Sequence, residues 1–346
     1  MLTAFWYVAL LVSGLILASV LFAVRLKKQN LRPVFVLPMM AVILLTAVIS
    51  GKILYLLFSS NLIVSDNWLA EVFHLNPAEF SFTGLLAGAS LGTILAARLI
   101  KLPVPEVLDC FALPFCLLAA FVRFAEIFVG DLGLAEMATF GLEEISDGSM
   151  LAFFPFAIRD QWGQWLLALS TLETICIIIT AFMILLSSFR SHRDLSTPCD
   201  GALFELALFI LCAIGFFFET AKISGVVFYY VHVEQVFSAL IMLILLIRLC
   251  SRLSHIQKHS YRLPVTMFFA FLTINAFSQY FMDKAWRFTS LFSESVFDWL
   301  SDHLCLVCYS VMMLTTICMI VLYLLSFRKL RSYTGAETKL SSGKES

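Results

Sequence analysis

The chain has 346 residues, 61% of them hydrophobic and only 14% charged, with a formal net charge of -1. That balance lies outside the range of a water-soluble domain and marks a chain built for lipid. A near-neutral sum gives no support to nucleic-acid binding, so the placing of the charges matters more than their total.

Hydropathy predicts nine spans, each meeting or approaching the roughly 20 apolar residues that a bilayer crossing needs. They are 4–24, 34–58, 80–100, 106–129, 164–188, 201–221, 228–250, 264–282 and 303–327. The first lacks a preceding basic region and a convincing cleavage site, so it reads as a retained span and not a signal peptide. The sixth carries Glu205 and Glu219, and the eighth Asn275 and Gln279, which makes these two the weakest signals.

Basic residues sort to alternate loops. Arg25, Lys27, Lys28 and Arg32 follow the first span, Arg98 and Lys101 the third, and Arg190 and Arg193 the fifth. Arg248, Arg252, Lys258 and Arg262 follow the seventh, and Arg328, Lys329, Arg331, Lys339 and Lys344 the ninth. The opposite loops hold only Arg159, Lys222, Lys284 and Arg287, and Trp6, Trp68, Trp162, Trp165, Trp286 and Trp299 fall on that same side. The positive-inside bias therefore predicts an N-terminus outside and a C-terminus in the cytoplasm.

The expected architecture is an all-α polytopic membrane protein: a seven-span core over 1–250 and a two-span C-terminal appendage over 251–330. The appendage includes an interfacial amphipathic stretch, Asp283–Asp302, and a polar tail over 331–346 reads as disordered. The longest outer loop, about 130–163, is acidic and carries Phe153, Phe154 and Phe156, which suggests a segment at the interface or a lid. Seven of the nine cysteines sit within spans, against a disulfide framework, and Cys305 and Cys308 beside His303 read as small apolar residues at a helix start.

Ionisable residues inside spans are the sharpest functional signal. Lys52, Arg123, Glu126, Glu219, His232 and Glu234 lie within a turn or two of the predicted outer face, where each charge costs about 2.5–3.5 kcal/mol on insertion scales. Arg123 and Glu126, three apart, share a helix face. The pair is either an internal neutralising contact or part of a site in which a guanidinium grips phosphate or carboxylate. Tyr55 reads as a lipid donor or an interface anchor, His232 as a proton relay or a hydrated edge residue, and Glu205 as a residue that snorkels to the inner face or pairs with an arginine of a neighbouring loop.

The fourth span, Asp109 followed by Ala112, Arg123, Gly130 and Asp131, resembles the signature of the prolipoprotein diacylglyceryl transferase family. Ser50-Gly51-Lys52 with Tyr55 resembles that family's glycine-arginine-x-x-tyrosine segment. Ser81-Phe82-Thr83-Gly84-Leu85-Leu86-Ala87-Gly88 is similar to its serine-phenylalanine-histidine-glycine-glycine segment. Glu173, Glu219 and Gln235 fall at its glutamate and glutamine positions, so the resemblance covers about 1–250. The chain departs from the pattern at Thr83 for histidine, Glu126 for asparagine, Asp131 for glutamate and Gly215 for a second arginine. A histidine-proline pair before Glu173 is also missing.

The resemblance implies an enzyme that moves the diacylglyceryl group of a phosphatidylglycerol-like phospholipid to the thiol of a prolipoprotein's lipobox cysteine. The reaction takes place at the outer face of the bacterial cytoplasmic membrane, with no metal or dissociable cofactor. Arg123 and Lys52 are then expected to hold phosphate, and Glu126, Asp131 or Glu219 to take the thiol's proton. Tyr55, Thr83, Gly84, Asp109, Gly130, Glu173 and Gln235 are expected to line the substrate site. Two cations facing Glu126, Asp131, Glu173, Glu219 and Glu234 leave that cavity net negative. A non-catalytic descendant that binds lipid or a membrane partner is the alternative, while a transporter would show inverted repeats, which are not found.

Overall fold

The computed structural model describes residues 2–58, 76, 79–129, 149–159, 163, 165–193, 201–222, 227–228, 231–257, 262–284 and 294–342. Among them are nine helices long and apolar enough to cross a membrane. These are α1 (Leu2–Lys28), α2 (Val36–Phe58), α3 (Phe82–Leu99), α4 (Val104–Ala125), α5 (Leu169–Arg193), α6 (Ala202–Glu219), α7 (Val233–Gln257), α8 (Arg262–Asp283) and α9 (Glu294–Ser342). The protein is an all-α polytopic membrane protein, as the hydropathy predicts. The loop over 130–148, which includes Gly130 and Asp131, lies outside the described residues, as do 285–293 of the expected interfacial stretch.

α6 is the centre of the bundle, with 83% of its most apolar window buried inside protein. The sequence ranks this span among the weakest because of its two glutamates. The structure gives the reason they are tolerated: neither meets lipid. Glu205 accepts from Arg252 Nη2 at 3.0 Å and lies 2.8 Å from Arg248 Nε, both on α7. Glu219 lies 3.3 Å from Lys222 Nζ at the other end.

The start of α6 is buried and has no cap of its own, since Gly201 stands there at φ 74°. Asp109 supplies the cap from α4: one oxygen accepts from Leu203 N at 3.0 Å and Phe204 N at 3.2 Å, the other from Gly201 N at 3.2 Å. Those N–H groups would otherwise be unmet in a dry interior. Asp109 is thus fixed at the end of the bundle that holds Glu205, more than three helical turns along α4 from Arg123.

α2 and α3 pack with their backbones nearly touching. A Cβ on Gly88 would sit 2.5 Å from the Thr46 carbonyl oxygen, and one on Gly84 would sit 2.8 Å from Gly51 Cα. Small residues every fourth position allow this approach in lipid, where close contact has to replace hydrophobic driving force. Its consequence is positional. Ser81 N donates to Gly51 O at 3.1 Å, so the end of α2 and the start of α3 are held side by side.

α1 packs along α4 and α2 along α3, while α1 and α2 meet over a short stretch. The space between the two pairs is an apolar cavity of about 460 Å³, lined by residues including Val12, Val48, Phe80, Phe82, Phe115 and Phe121. Val12 of α1 and Val48 of α2, both lining the cavity, are exposed.

The last two helices share the main core. Tyr309, Met312, Met319, Tyr323 and Phe327 of α9 are buried in it, and Tyr323 stacks on Phe209 of α6 with ring centroids 4.0 Å apart. Asn275 of α8 donates to Thr315 of α9, so the polar residue that weakens this span's hydropathy faces a helix and not lipid. α9 continues through 331–342. Two short hairpins, Ala157–Arg159 with Trp165–Leu167 and Val227–Phe228 with Val231–His232, precede α5 and α7.

Candidate functional site

Arg123 lies in the last turn of α4 and is buried. Past Ala125 the helix tightens into a 3-10 turn, Glu126–Phe128, which swings Glu126 beneath the guanidinium. Arg123 Nη1 donates to Glu126 Oε1 at 2.7 Å and Oε2 at 3.0 Å, and its Nε lies 2.8 Å from Glu173 Oε1. The flat face of the guanidinium rests on Phe82, 3.7 Å from the ring centroid. Glu126 holds the cation by hydrogen bonds, Glu173 faces it as an ion-pair partner only, and the Phe82 ring supports it from α3.

Lys222 is the second cation of this cluster. Its Nζ lies 3.3 Å from both Glu173 Oε2 and Glu219 Oε2, and the residue is as buried as those it meets. Burial and the nearby Arg123 act against its charge, but Glu173, Glu219 and Glu126 outweigh them and hold the ammonium above the ordinary lysine range. The sequence reading counts Lys222 as a loop cation. The residue does lie beyond the end of α6, but its side chain is buried and folded back on Glu219 and Glu173. The Glu219-to-Lys222 spacing of three was the available signal.

Lys52 is buried near the end of α2 and pairs with Glu79, which also accepts from Asn76 Nδ2 at 3.1 Å. The Phe80 and Tyr55 rings flank its ammonium at 5.8 and 6.0 Å. Lys52 and Tyr55 thus form a neighbouring pair of groups, one short turn of chain from Phe82. Glu79 escapes the sequence reading because it stands outside any apolar run.

Thr83, at the start of α3, faces α7. Its backbone N donates to Glu234 Oε2 at 3.0 Å and its hydroxyl lies 2.8 Å from that of Ser238. Gly84 N donates to the Ser81 hydroxyl at 2.9 Å, which caps the helix, and Gly84 lies back to back with Gly51. Gln235 donates to Phe216 O at 3.0 Å and Thr220 Oγ1 at 2.5 Å and accepts from His232 N at 3.1 Å. It therefore ties the turn after α6 to the start of α7.

The structure thus brings Arg123, Glu126, Glu173 and Glu219 into one ionic cluster with Lys222, and sets Thr83 beside it through Phe82. Lys52 and Tyr55 lie at the Glu79–Phe80 stretch that precedes Phe82, Gly84 and Gln235 hold the framework, and Asp109 stands apart as a helix cap. Gly215, where the resemblance calls for an arginine, faces Phe82 at ordinary contact distance.

Phe82 belongs to both halves of this region, lining the apolar cavity on one side and supporting Arg123 on the other. A cluster of acidic and basic side chains inside a helical bundle, beside an apolar cavity, defines a membrane protein with an intramembrane polar site. A family model of prolipoprotein diacylglyceryl transferase matches residues 1–327, and the chain belongs to that transferase family. The match extends over α8 and into α9. No curated protein matches the chain.

Proposed function

We propose that the protein transfers the diacylglyceryl group of a phosphatidylglycerol-like phospholipid to the cysteine thiol of a prolipoprotein, at the outer face of the bacterial cytoplasmic membrane. The N-terminus is then outside and the C-terminus in the cytoplasm, in keeping with the sorting of basic loops. One observation carries the reading: Phe82 joins an apolar cavity of about 460 Å³ to a buried guanidinium, so a molecule with acyl chains and a phosphate has a place for each.

In this mechanism the lipid enters between α1 and α2, its chains fill the cavity and its phosphate reaches Arg123. The thiolate sulfur attacks the glyceryl carbon bonded to the phosphate oxygen. A carbon–sulfur bond forms, the carbon–oxygen bond breaks, and its electron pair departs on the phosphate ester. Arg123 and Lys222 face that developing charge. Lys222 provides a second cation for this region, where the sequence pattern of the family would place an arginine at Gly215. Glu126, Glu173 and Glu219 hold the two cations in place, and an arriving phosphate replaces part of that carboxylate company.

Expression in cells depleted of their own transferase tests the proposal. Restored lipoprotein modification, with thioether-linked diacylglycerol on a reporter, is the expected result. Stable insertion without that product overturns the catalytic reading and leaves lipid or partner binding, to be read by co-purified phospholipid.

A further inference from the structure

A thiol must lose its proton to become the nucleophile, and a carboxylate already locked to a cation is a poor acceptor for it. Four carboxylates of this region are so locked: Glu126 to Arg123, Glu173 to Arg123 and Lys222, Glu219 to Lys222, and Glu79 to Lys52. Glu234 differs. Among the described residues it is the site carboxylate that makes no ion pair. It is bonded instead to the backbone N of Thr83 at 3.0 Å and to the hydroxyls of Ser81 and Thr83. As a residue it is less buried than Glu126, Glu173 and Glu219.

We propose that Glu234 is the proton acceptor for the incoming thiol. This role rests on the proposed diacylglyceryl transfer. The S–H bond gives its proton to a Glu234 oxygen as sulfur bonds to the glyceryl carbon, and the phosphate ester leaves with the electron pair of the broken carbon–oxygen bond. The carboxyl proton then passes to the departing ester. Position favours this role: Thr83, which holds Glu234, directly follows Phe82, which supports Arg123, so the acceptor and the cation stand on either side of one short stretch of α3. The hydroxyl pair Thr83 and Ser238 orients the same corner.

The test uses the full-length protein in vesicles with phosphatidylglycerol and a lipobox peptide, comparing wild type with Glu234→Gln, which keeps an acceptor oxygen for the Thr83 N–H. The expected loss in kcat is about 10²- to 10⁴-fold, the usual worth of a positioned base, with lipid KM little changed. A peptide carrying selenocysteine in place of cysteine supplies a nucleophile ionised at neutral pH and needs no base. With it, most of that loss should disappear, which a merely structural defect would not allow. Glu234→Asp repeats the comparison with a smaller loss should the glutamine variant insert poorly. An unchanged kcat, or an equal loss with both peptides, overturns the role of Glu234 while the transfer reading stands. No product from wild type overturns both.

Discussion

Glu173 Oε1 lies 2.8 Å from Arg123 Nε, joining α5 to α4 where neither side chain reaches solvent. The cluster around this contact holds two cations, Arg123 and Lys222, and three carboxylates, Glu126, Glu173 and Glu219, so losing a cation and losing a carboxylate have unequal costs. Arg123→Met leaves three acidic groups to one ammonium and should lower the unfolding free energy by about 3–5 kcal/mol, the usual cost of breaking a buried pair from one side. Glu173→Gln leaves a balanced count and should cost less. In the double variant the two losses should sum to more than is observed, a coupling readable from detergent or thermal unfolding.

Lys222 should behave as part of the site and not as a surface charge. Lys222→Met is expected to reduce transfer by about 10²- to 10³-fold, the effect of removing one donor aimed at a developing oxyanion. Lys222→Arg should retain a measurable fraction. The check is turnover of a reporter peptide at saturating lipid, with membrane insertion confirmed in parallel.

Much of this arrangement was legible from the sequence, and the misses have physical causes. Buried charges in spans gave Arg123, Glu126 and Glu219, because nothing but function or pairing keeps such residues in lipid. Lys222 and Glu79 were missed because each stands just past a helix boundary, where hydropathy sees a loop and only tertiary folding returns the side chain to the interior. The family resemblance groups Asp109 with the site. Yet fourteen residues of helix rise about 21 Å, and the structure uses that length to cap α6 at the opposite end. The central place of α6 was invisible for a related reason: its glutamates look like interruptions until their partners on α7 and at Lys222 are known.

Two glycines should answer the same substitution with opposite signs. At Gly88 a methyl group would meet backbone at 2.5 and 2.7 Å, and forcing α2 and α3 apart should cost about 1–3 kcal/mol. At Gly215 the methyl would lie 3.6 Å from Phe82, so Gly215→Ala should hold or gain up to about 1 kcal/mol from helix propensity alone. Parallel thermal unfolding of the two variants reads the contrast.

Thr220 links both C-terminal helices to the site. Thr220, between Glu219 and Lys222, has its hydroxyl bonded by Gln279 of α8 at 3.2 Å and its carbonyl by Tyr309 of α9 at 3.3 Å. Deletion of 264–346 should therefore remove activity, beyond any loss of stability, because the turn that carries Lys222 loses these two donors. Tyr309→Phe, which removes one hydrogen bond and keeps the ring, should cost about 0.5–1.5 kcal/mol. If the truncated protein inserted and transferred at the wild-type rate, the helices would be packing elements only.

Asp109 separates stability from chemistry. Its three bonds to the first N–H groups of α6 are the cap of a buried helix end, and Asp109→Ala should cost about 1–2 kcal/mol, toward the upper part of the range for cap removal because water cannot take the place of the carboxylate there. Asp109→Asn keeps one acceptor oxygen and should recover part of that. Neither change touches the Arg123 cluster at the far end of α4, so transfer per folded molecule should stay within about twofold of wild type, an effect below half a kcal/mol. A large fall in kcat for Asp109→Asn at normal folding would show that the two ends of the bundle are coupled through α4 and α6, and would return Asp109 to the site.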